Sequence, residues 1–214
     1  MRKAFFRNRR GMVGIEAAIV LIAFVIVAAA FSFMVINMGL FSTQRGKEAI
    51  QDSLQEAVSP LTVDGLILIK GKTGQGGGVS VIVIPLKTLG VKYVPMDADR
   101  TVVSFTISGS QDASYPNIYA GIDNTPIDSS TNYDGLASNV NPDEAKLFIV
   151  GSDDDYSLDA TEKGYLIIKP SSTKPVERDH VIVEIRPQKG APLSIEFTIP
   201  PQLPYDESWL AVGV

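Results

Sequence analysis

Hydrophobic and polar positions divide this 214-residue chain into two regimes. From Ala17 to Gln44 the sequence reads AAIVLIAFVIVAAAFSFMVINMGLFSTQ, with no ionisable side chain. As a helix rising about 1.5 Å per residue this run is roughly 40 Å long, more than the ~30 Å hydrocarbon thickness of a bilayer. It is apolar on every side, so such a helix needs lipid or protein all around it. Beyond Gln44 the pattern becomes two-faced. Ala49, Ile50, Leu54, Ala57 and Val58 recur at helical spacing, and Arg45, Lys47, Glu48, Asp52, Gln55 and Glu56 fill the other side. Pro60 stops the helix, because Ser59 before it is pushed out of the α region. One helix from about residue 13 to 58 is predicted, roughly 65–70 Å long. A simple anchor needs only about 20 residues. The excess implies a stem that packs against copies of itself.

From Leu61 the period changes. LTVDGLILIK, VSVIVIPL, RTVVSFTIS, AKLFIVG, GYLIIK, HVIVEIRP and LSIEFTIP are short runs rich in Val and Ile. Turn material such as GKTGQGGG (71–78), SSTKPVERD (171–179) and QKGAP (188–192) separates them. In HVIVEIRP, Val181, Val183 and Ile185 face one way, and Ile182, Glu184 and Arg186 the other. Seven or more strands without intervening helices predict a β-sandwich or barrel. The stretch from Gln111 to Pro142 is polar and long for a loop, so it is either an exposed functional loop or partly structured.

Charge adds a direction to this picture. The chain carries 19 Lys+Arg against 24 Asp+Glu, a net charge of −5. Five of the basic residues, Arg2, Lys3, Arg7, Arg9 and Arg10, lie in the first eleven positions, which hold no acid. Without them the chain has 14 Lys+Arg against 24 acids, or −10. A basic start on an acidic body is not built to grip nucleic acid along its length. Placed directly before an apolar helix, it predicts an N-terminus held on the cytoplasmic side of a membrane. With no cysteine, a disulfide scaffold, a Cys-ligated zinc site and a thiol nucleophile are excluded. A single histidine, His180, excludes a multi-histidine metal site.

An ordinary secretory signal places its apolar region ahead of a small-residue cleavage site. Here the order is reversed, with Gly11 directly after the basic leader and the apolar run behind it. An uncleaved single-pass anchor is the other reading of the composition. The segment RRG-MVGIEAAIVLIAFVIVAAA decides between them. It resembles the class III signal peptide shared by type IV pilins and archaellins, the archaeal flagellins. The resemblance implies cleavage by a prepilin peptidase between Gly11 and Met12, with Glu16 then at the fifth mature position, where many pilins have Glu. The Gly14–Ile15 step and the later Asn-Met-Gly-Leu-Phe-Ser resemble archaellins. A second glycine, Gly14, offers a rival cut that would put Glu16 at the second mature position, a poorer fit.

Glu16 also has a physical reading. A lone carboxylate at the edge of an apolar run is expensive, about 2.5–3.5 kcal/mol at a helix centre and less near the interface. It needs a proton or a cation, and after cleavage the nearest cation is the new α-amino group of Met12, one turn back. Solvation by headgroups is the alternative, and pairing is favoured. Small residues Gly14, Ala17, Ala18, Ala23, Ala28, Ala29, Ala30 and Ser32 let helix backbones approach closely. Ile22, Phe24, Ile26, Phe31, Phe33 and Met34 fill the gaps between them.

The C-terminal half extends the likeness. VEIRPQKGAPLSIEFTIP resembles the archaellin pattern of an E-x-x-P strand, GAP, and a Ser- or Thr-bearing strand ending in Pro. GSDDDYSLDATEKGYLIIKP resembles the acidic loop before it. Its Asp153, Asp154, Asp155 and Asp159 could offer oxygen ligands to a hard cation, but they lack EF-hand spacing, and a solvated acidic turn is preferred. No cofactor is therefore expected. GKTGQGGG contains GKT without the P-loop spacing and is expected to be a hairpin loop. His180 sits beside Asp179 without a nucleophile elbow, so no catalytic group is assigned. No N-x-S/T sequon occurs at Asn8, Asn37, Asn117, Asn124, Asn132, Asn139 or Asn141.

Three classes of function remain: a structural filament subunit, an adhesive pilin using 111–142, and a membrane-tethered binding domain or enzyme. The GAP strand favours the archaellin. The expected organisation is α+β: a cleaved leader at 1–11, a long apolar helix at 12–59, and an immunoglobulin-like β-sandwich at 60–214. The resemblance implies a motile extracellular filament made of this chain, with paralogous subunits as further co-assembling partners. It also implies a membrane-held precursor, the peptidase, a membrane assembly platform and a motor ATPase.

Overall fold

The computed structural model describes residues 9–74, 76–127 and 132–213, the side chains of residues 9–13 and 55 excepted. The chain divides into two compact units, Met1–Ser53 and Leu54–Val214. A single helix, α1, runs over Arg9–Ala57, 49 residues. Its described part already includes the four residues before the position that sequence periodicity suggests. Gly11 and Gly14 each weaken a helix by only about 1 kcal/mol, and extending an existing helix is cheap. At the other end the ladder closes with Val58 N–H on the Leu54 carbonyl at 3.1 Å, just ahead of Pro60.

Thirteen strands and one short helix follow among the described residues. They are β1 (Leu61–Val63), β2 (Ile67–Lys72), β3 (Gly78–Thr88), β4 (Tyr93–Pro95), β5 (Val102–Ser108), β6 (Ala113–Tyr115) and β7 (Tyr119–Asp123). After helix α2 (Tyr133–Ser138) come β8 (Ala145–Val150), β9 (Ser157–Asp159), β10 (Lys163–Ile168), β11 (His180–Arg186), β12 (Leu193–Thr198) and β13 (Ser208–Val212). One sheet has the order β13-β2-β3-β10-β8-β7, with β1 also on β3. The second has the order β12-β11-β5-β6, and β4 with β9 forms a two-stranded ribbon. All pairings are antiparallel except β7 on β8.

The two sheets bury a common core. Ile82, Ile84, Leu147 and Leu166 of the large sheet lie in one cluster with Phe105, Val183, Ile185 and Phe197 of the small one. The alternation in HVIVEIRP holds, with Val181, Val183 and Ile185 fully buried. The near-continuous apolar run of β3 has a different cause. Its other face, Val81 and Val83, belongs to a second cluster with Phe148, Ile167 and Leu136, Ala137 and Val140 of the α2 segment. A strand covered on both faces has no polar positions to alternate.

LTVDGLILIK forms two strands rather than one, because Gly65 turns the chain at φ 132°. That break accommodates Pro85 in the middle of β3. The Pro85 carbonyl accepts from Asp64 N–H at 3.0 Å, so its ring nitrogen faces the same gap between β1 and β2, where no ladder hydrogen bond is missing. The GKTGQGGG segment is the β2–β3 hairpin, as expected. Its last glycine, Gly78 (φ 127°), leaves room for the loop at Lys174–Pro175, and Val79 N–H bonds the Pro175 carbonyl at 2.8 Å.

The polar stretch 111–142 is partly structured, containing β6, β7 and α2. Asn132 caps α2 by accepting from Asp134 N–H at 3.2 Å. At the far end Lys169 donates to the carbonyls of Ala137 and Val140 at 3.3 and 3.0 Å. Tyr133 packs against Tyr165 and Trp209 with ring centroids 5.6 and 5.7 Å apart.

Candidate assembly surface

Among the described residues, most of the exposed large hydrophobic side chains lie on α1. Within it, Gly14–Leu54 is a helix long and apolar enough to cross a membrane. At about 1.5 Å per residue its 41 residues extend roughly 60 Å, twice the hydrocarbon thickness of a bilayer. Its large apolar side chains stand exposed, among them Phe24 at 73 %, Phe31 at 67 % and Phe33 at 69 %. In a soluble monomer a patch of this size would drive aggregation. Such a helix requires lipid or other protein along most of its length.

The residues singled out on this helix are placed as follows. Gly11 and Met12 lie in the first turn of α1, with side chains outside the described residues; the leader before Arg9 is also outside them. Glu16 is exposed one turn after Met12, at the edge of the apolar surface with Ala17, Val20, Leu21 and Phe24 around it. At about 100° per residue, Gly14, Ala18, Ala28 and Ala29 fall on one side of the helix. Ala30, Phe31 and Phe33 point elsewhere, so small and bulky positions alternate around the cylinder. A Cβ at Gly14 would meet nothing within 4 Å. Among the described residues, nothing requires a glycine there.

At the base of the helix the chain is gripped by the GAP turn. Ala191 N–H donates to the Val58 carbonyl at 3.2 Å, and Leu89 N–H to the Pro60 carbonyl at 2.8 Å. Gly190 (φ 97°) lies so close that a Cβ there would sit 2.6 Å from Pro60 Cδ and 2.9 Å from the Val58 oxygen. Periodicity does not reveal this joint. Its signal was the GAP tripeptide itself.

The acidic loop is built of turns. Asp153 accepts from Asp155 N–H at 3.3 Å, and Asp155 from the amide and hydroxyl of Ser157, both at 2.7 Å. The buried Glu162 takes the amides of Asp153 and Asp159 at 3.3 and 2.9 Å. Among the described residues, no three His, Cys, Asp or Glu side chains are gathered where they could hold a metal ion. His180 lies on the outer side of β11, 3.3 Å from the Thr198 hydroxyl and 3.7 Å from Glu196. Neighbouring Asp179 is buried and spends its oxygens on the amides of Ser110 and Val176 at 2.7 and 2.9 Å. Asp179 therefore does not serve His180 as an acid–base partner.

Three carboxylates of the domain are held below their ordinary value near 3.8. For Asp123, burial raises the pKa, but the hydroxyl and amide of Thr125 and the Lys146 ammonium outweigh it. For Asp143, burial is outweighed by the hydroxyl and amide of Ser172 and the amide of Ser171. Asp64 is lowered by its hydrogen bond and attraction to Lys163, 3.0 Å away, with Lys87 adding. A depressed folded-state pKa contributes stability that is present above the unfolded value and lost as pH falls through the folded one. The D123N/D143N double variant is therefore expected to lose less thermal stability between pH 5 and pH 2 than the unaltered chain. Thermal unfolding at the two pH values measures this; equal losses would remove these two carboxylates from the account.

The chain matches the family described as archaeal-type flagellin over residues 11–197. The chain belongs to that family. It is 41 % identical over 202 residues to "Probable flagellin 1" of Aeropyrum pernix, covering 92 % of this chain and 96 % of the relative. It is 30 % identical over 209 residues to "Probable flagellin 1" of Archaeoglobus fulgidus, covering 95 % and 96 %. Two solved structures share the fold. One is the archaeal flagellum of Methanospirillum hungatei strain JF1, with TM-score 0.51, 23 % identity, and 94 % and 99 % of the two chains covered. The other is archaeal flagellin FlaB1 from Methanocaldococcus jannaschii, with TM-score 0.54, 15 % identity, and 71 % and 95 % covered. As a flagellin, the chain is a structural subunit of an archaeal flagellar filament used in motility, not an enzyme. The adhesive-pilin reading is not favoured. The apolar surface of α1 is thus the feature through which a polymer-forming subunit has most to gain by association.

Proposed function

We propose that this flagellin is made as a membrane-held precursor, is cut between Gly11 and Met12, and then polymerises by packing α1 against α1 of sister subunits. The leader, 1–11, is discarded, residues 12–59 form the filament core, and 60–214 form its outer wall. The single observation that carries the reading is the exposed apolar helix, about twice as long as a bilayer requires. In the membrane lipid covers it; outside, only sister helices can. Cleavage removes five positive charges and leaves one α-amino group, which Glu16 neutralises within the same or a neighbouring subunit. The reading supplies the remaining partners by family resemblance: a prepilin peptidase, a membrane assembly platform and a motor ATPase. Paralogous flagellins are candidates for co-assembly. The subunit's task is mechanical, to transmit torque along the polymer. No cofactor enters this scheme.

N-terminal sequencing of surface filaments tests the cleavage, with a start at Met12 expected. An intact Met1 on surface protein would return the chain to a plain membrane anchor. Packing is tested separately at the small side chains. Ala29→Trp is expected to abolish filaments while the membrane precursor accumulates at its normal level, because close approach of backbones is lost. Filaments from this variant in normal number would show that the alanines only reflect helix propensity.

A further inference from the structure

Between Ala17 and Phe41 the only polar side chains are Ser32 and Asn37. A hydroxyl can be satisfied within its own helix, as Thr43 is on the Gly39 carbonyl at 2.8 Å and Ser53 on Ala49 at 2.8 Å. An amide presents two donors and an acceptor, and no bond to Asn37 is found among the described residues of α1. Asn37 lies in a groove along one face with Ala30, Phe33, Met34 and Phe41. The groove ends at Arg45, whose guanidinium sits 5.2 Å above the Phe41 ring and reaches Glu48 at 3.5 Å. From Ala17 to Asn37 is about 30 Å of helix. In a bilayer the amide therefore reaches the far edge of the hydrocarbon and keeps its water. In a core built of helices that water is gone, and an unpaired amide is strongly disfavoured.

We propose that this face of α1 docks on α1 of a second copy of the chain, and that the Asn37 amide, hydrogen-bonded across the contact, sets the axial register between the two helices. The proposal rests on the assembly reading above, and the second copy is the occupant because helix-on-helix packing is the interface of that assembly. Leu, Phe and Met side chains slide past one another with little preference. A single amide in an apolar seam is penalised in every register except the one that pairs it. Rise and twist of the polymer follow from that register.

Electron cryomicroscopy of filaments from the whole chain and from N37L and M38L tests it. The unaltered chain and M38L, an apolar exchange on the same helix, are expected to give one and the same helical symmetry. N37L is expected to give a different rise and twist, a mixture of symmetries, or leader-cleaved subunits that remain in the membrane without polymerising. N37L filaments with the unaltered symmetry and the unaltered dissociation temperature would overturn the proposal. So would M38L failing in the same way as N37L, since the effect would then not belong to the amide. N-terminal sequencing of the unaltered filaments separates the two readings. A start at Met1 sinks the cleavage scheme, whereas an unchanged symmetry in N37L sinks only the register role.

Discussion

Gly11→Val is expected to leave the whole chain in the membrane as an uncleaved precursor and to abolish surface filaments. Glycine at the proposed scissile position lets a protease approach the backbone, and a β-branched side chain denies that approach. The retained leader carries Arg2, Lys3, Arg7, Arg9 and Arg10. Drawing these into a shared apolar core would bury cations without partners, at several kcal/mol per ion even after relaxation. With four or five such charges the sum exceeds the whole stability of an ordinary domain, about 5–15 kcal/mol. Arg9 and Arg10 also open α1, where no acid stands in the first turn to offset the positive end of the helix dipole. An immunoblot of membranes reads the precursor mass, and electron microscopy of cells counts filaments. Filaments built from subunits that still carry residues 1–11 would show that removal of charge is not what releases assembly.

Gly190→Val should destabilise the β-rich domain by roughly 3–5 kcal/mol, combining backbone strain with overpacking. The position has φ 97°, which a β-branched residue does not adopt, and its Cβ would lie 2.6 Å from Pro60 Cδ and 2.9 Å from the Val58 oxygen. Neither neighbour is the free end of a flexible side chain. Ala191 N–H would be pushed off the Val58 carbonyl, loosening the chain where it leaves the helix. For a domain of this size the shift corresponds to a melting temperature lower by about 10 °C. Thermal unfolding of the detergent-solubilised chain, followed by circular dichroism in the β region, measures it. A shift under about 2 °C would mean the GAP turn yields without strain.

Much of this protein is legible without coordinates, and the reason differs by region. The helix from Arg9 to Ala57 is local in origin: 28 residues without an ionisable group, then a helical repeat, then Ser59–Pro60. Periodicity placed its end within one residue because proline acts on its immediate neighbour. The roles proposed for the leader, Gly11 and Glu16 rest on equally local information, the order of charges along the chain and the resemblance of the segment around them. Strands β5, β11 and β12 could be read from alternation, because one face of the small sheet is buried and the other exposed.

Other features required the fold. α2 is only six residues long, and no isolated helix of that length is stable, so its formation depends on the outer face of the large sheet. The three-residue strands β4, β6 and β9 are equally invisible to periodicity, being set by their partners across the sheet. The acidic loop reads in one dimension as a solvated turn, with a ligand cluster as the weaker alternative. In three dimensions the carboxylates of Asp153, Asp155 and Glu162 accept backbone amides. What the sequence by itself determined is therefore the division into apolar stem and strand-rich domain, and with it the membership in a filament-forming family. Only the tertiary structure decided that the GAP turn holds Val58 to Pro60, that Pro85 occupies the gap between β1 and β2, and that α2 closes a second core. Each of these joins segments 20 to more than 100 residues apart, and a contact between distant segments leaves no period in either one.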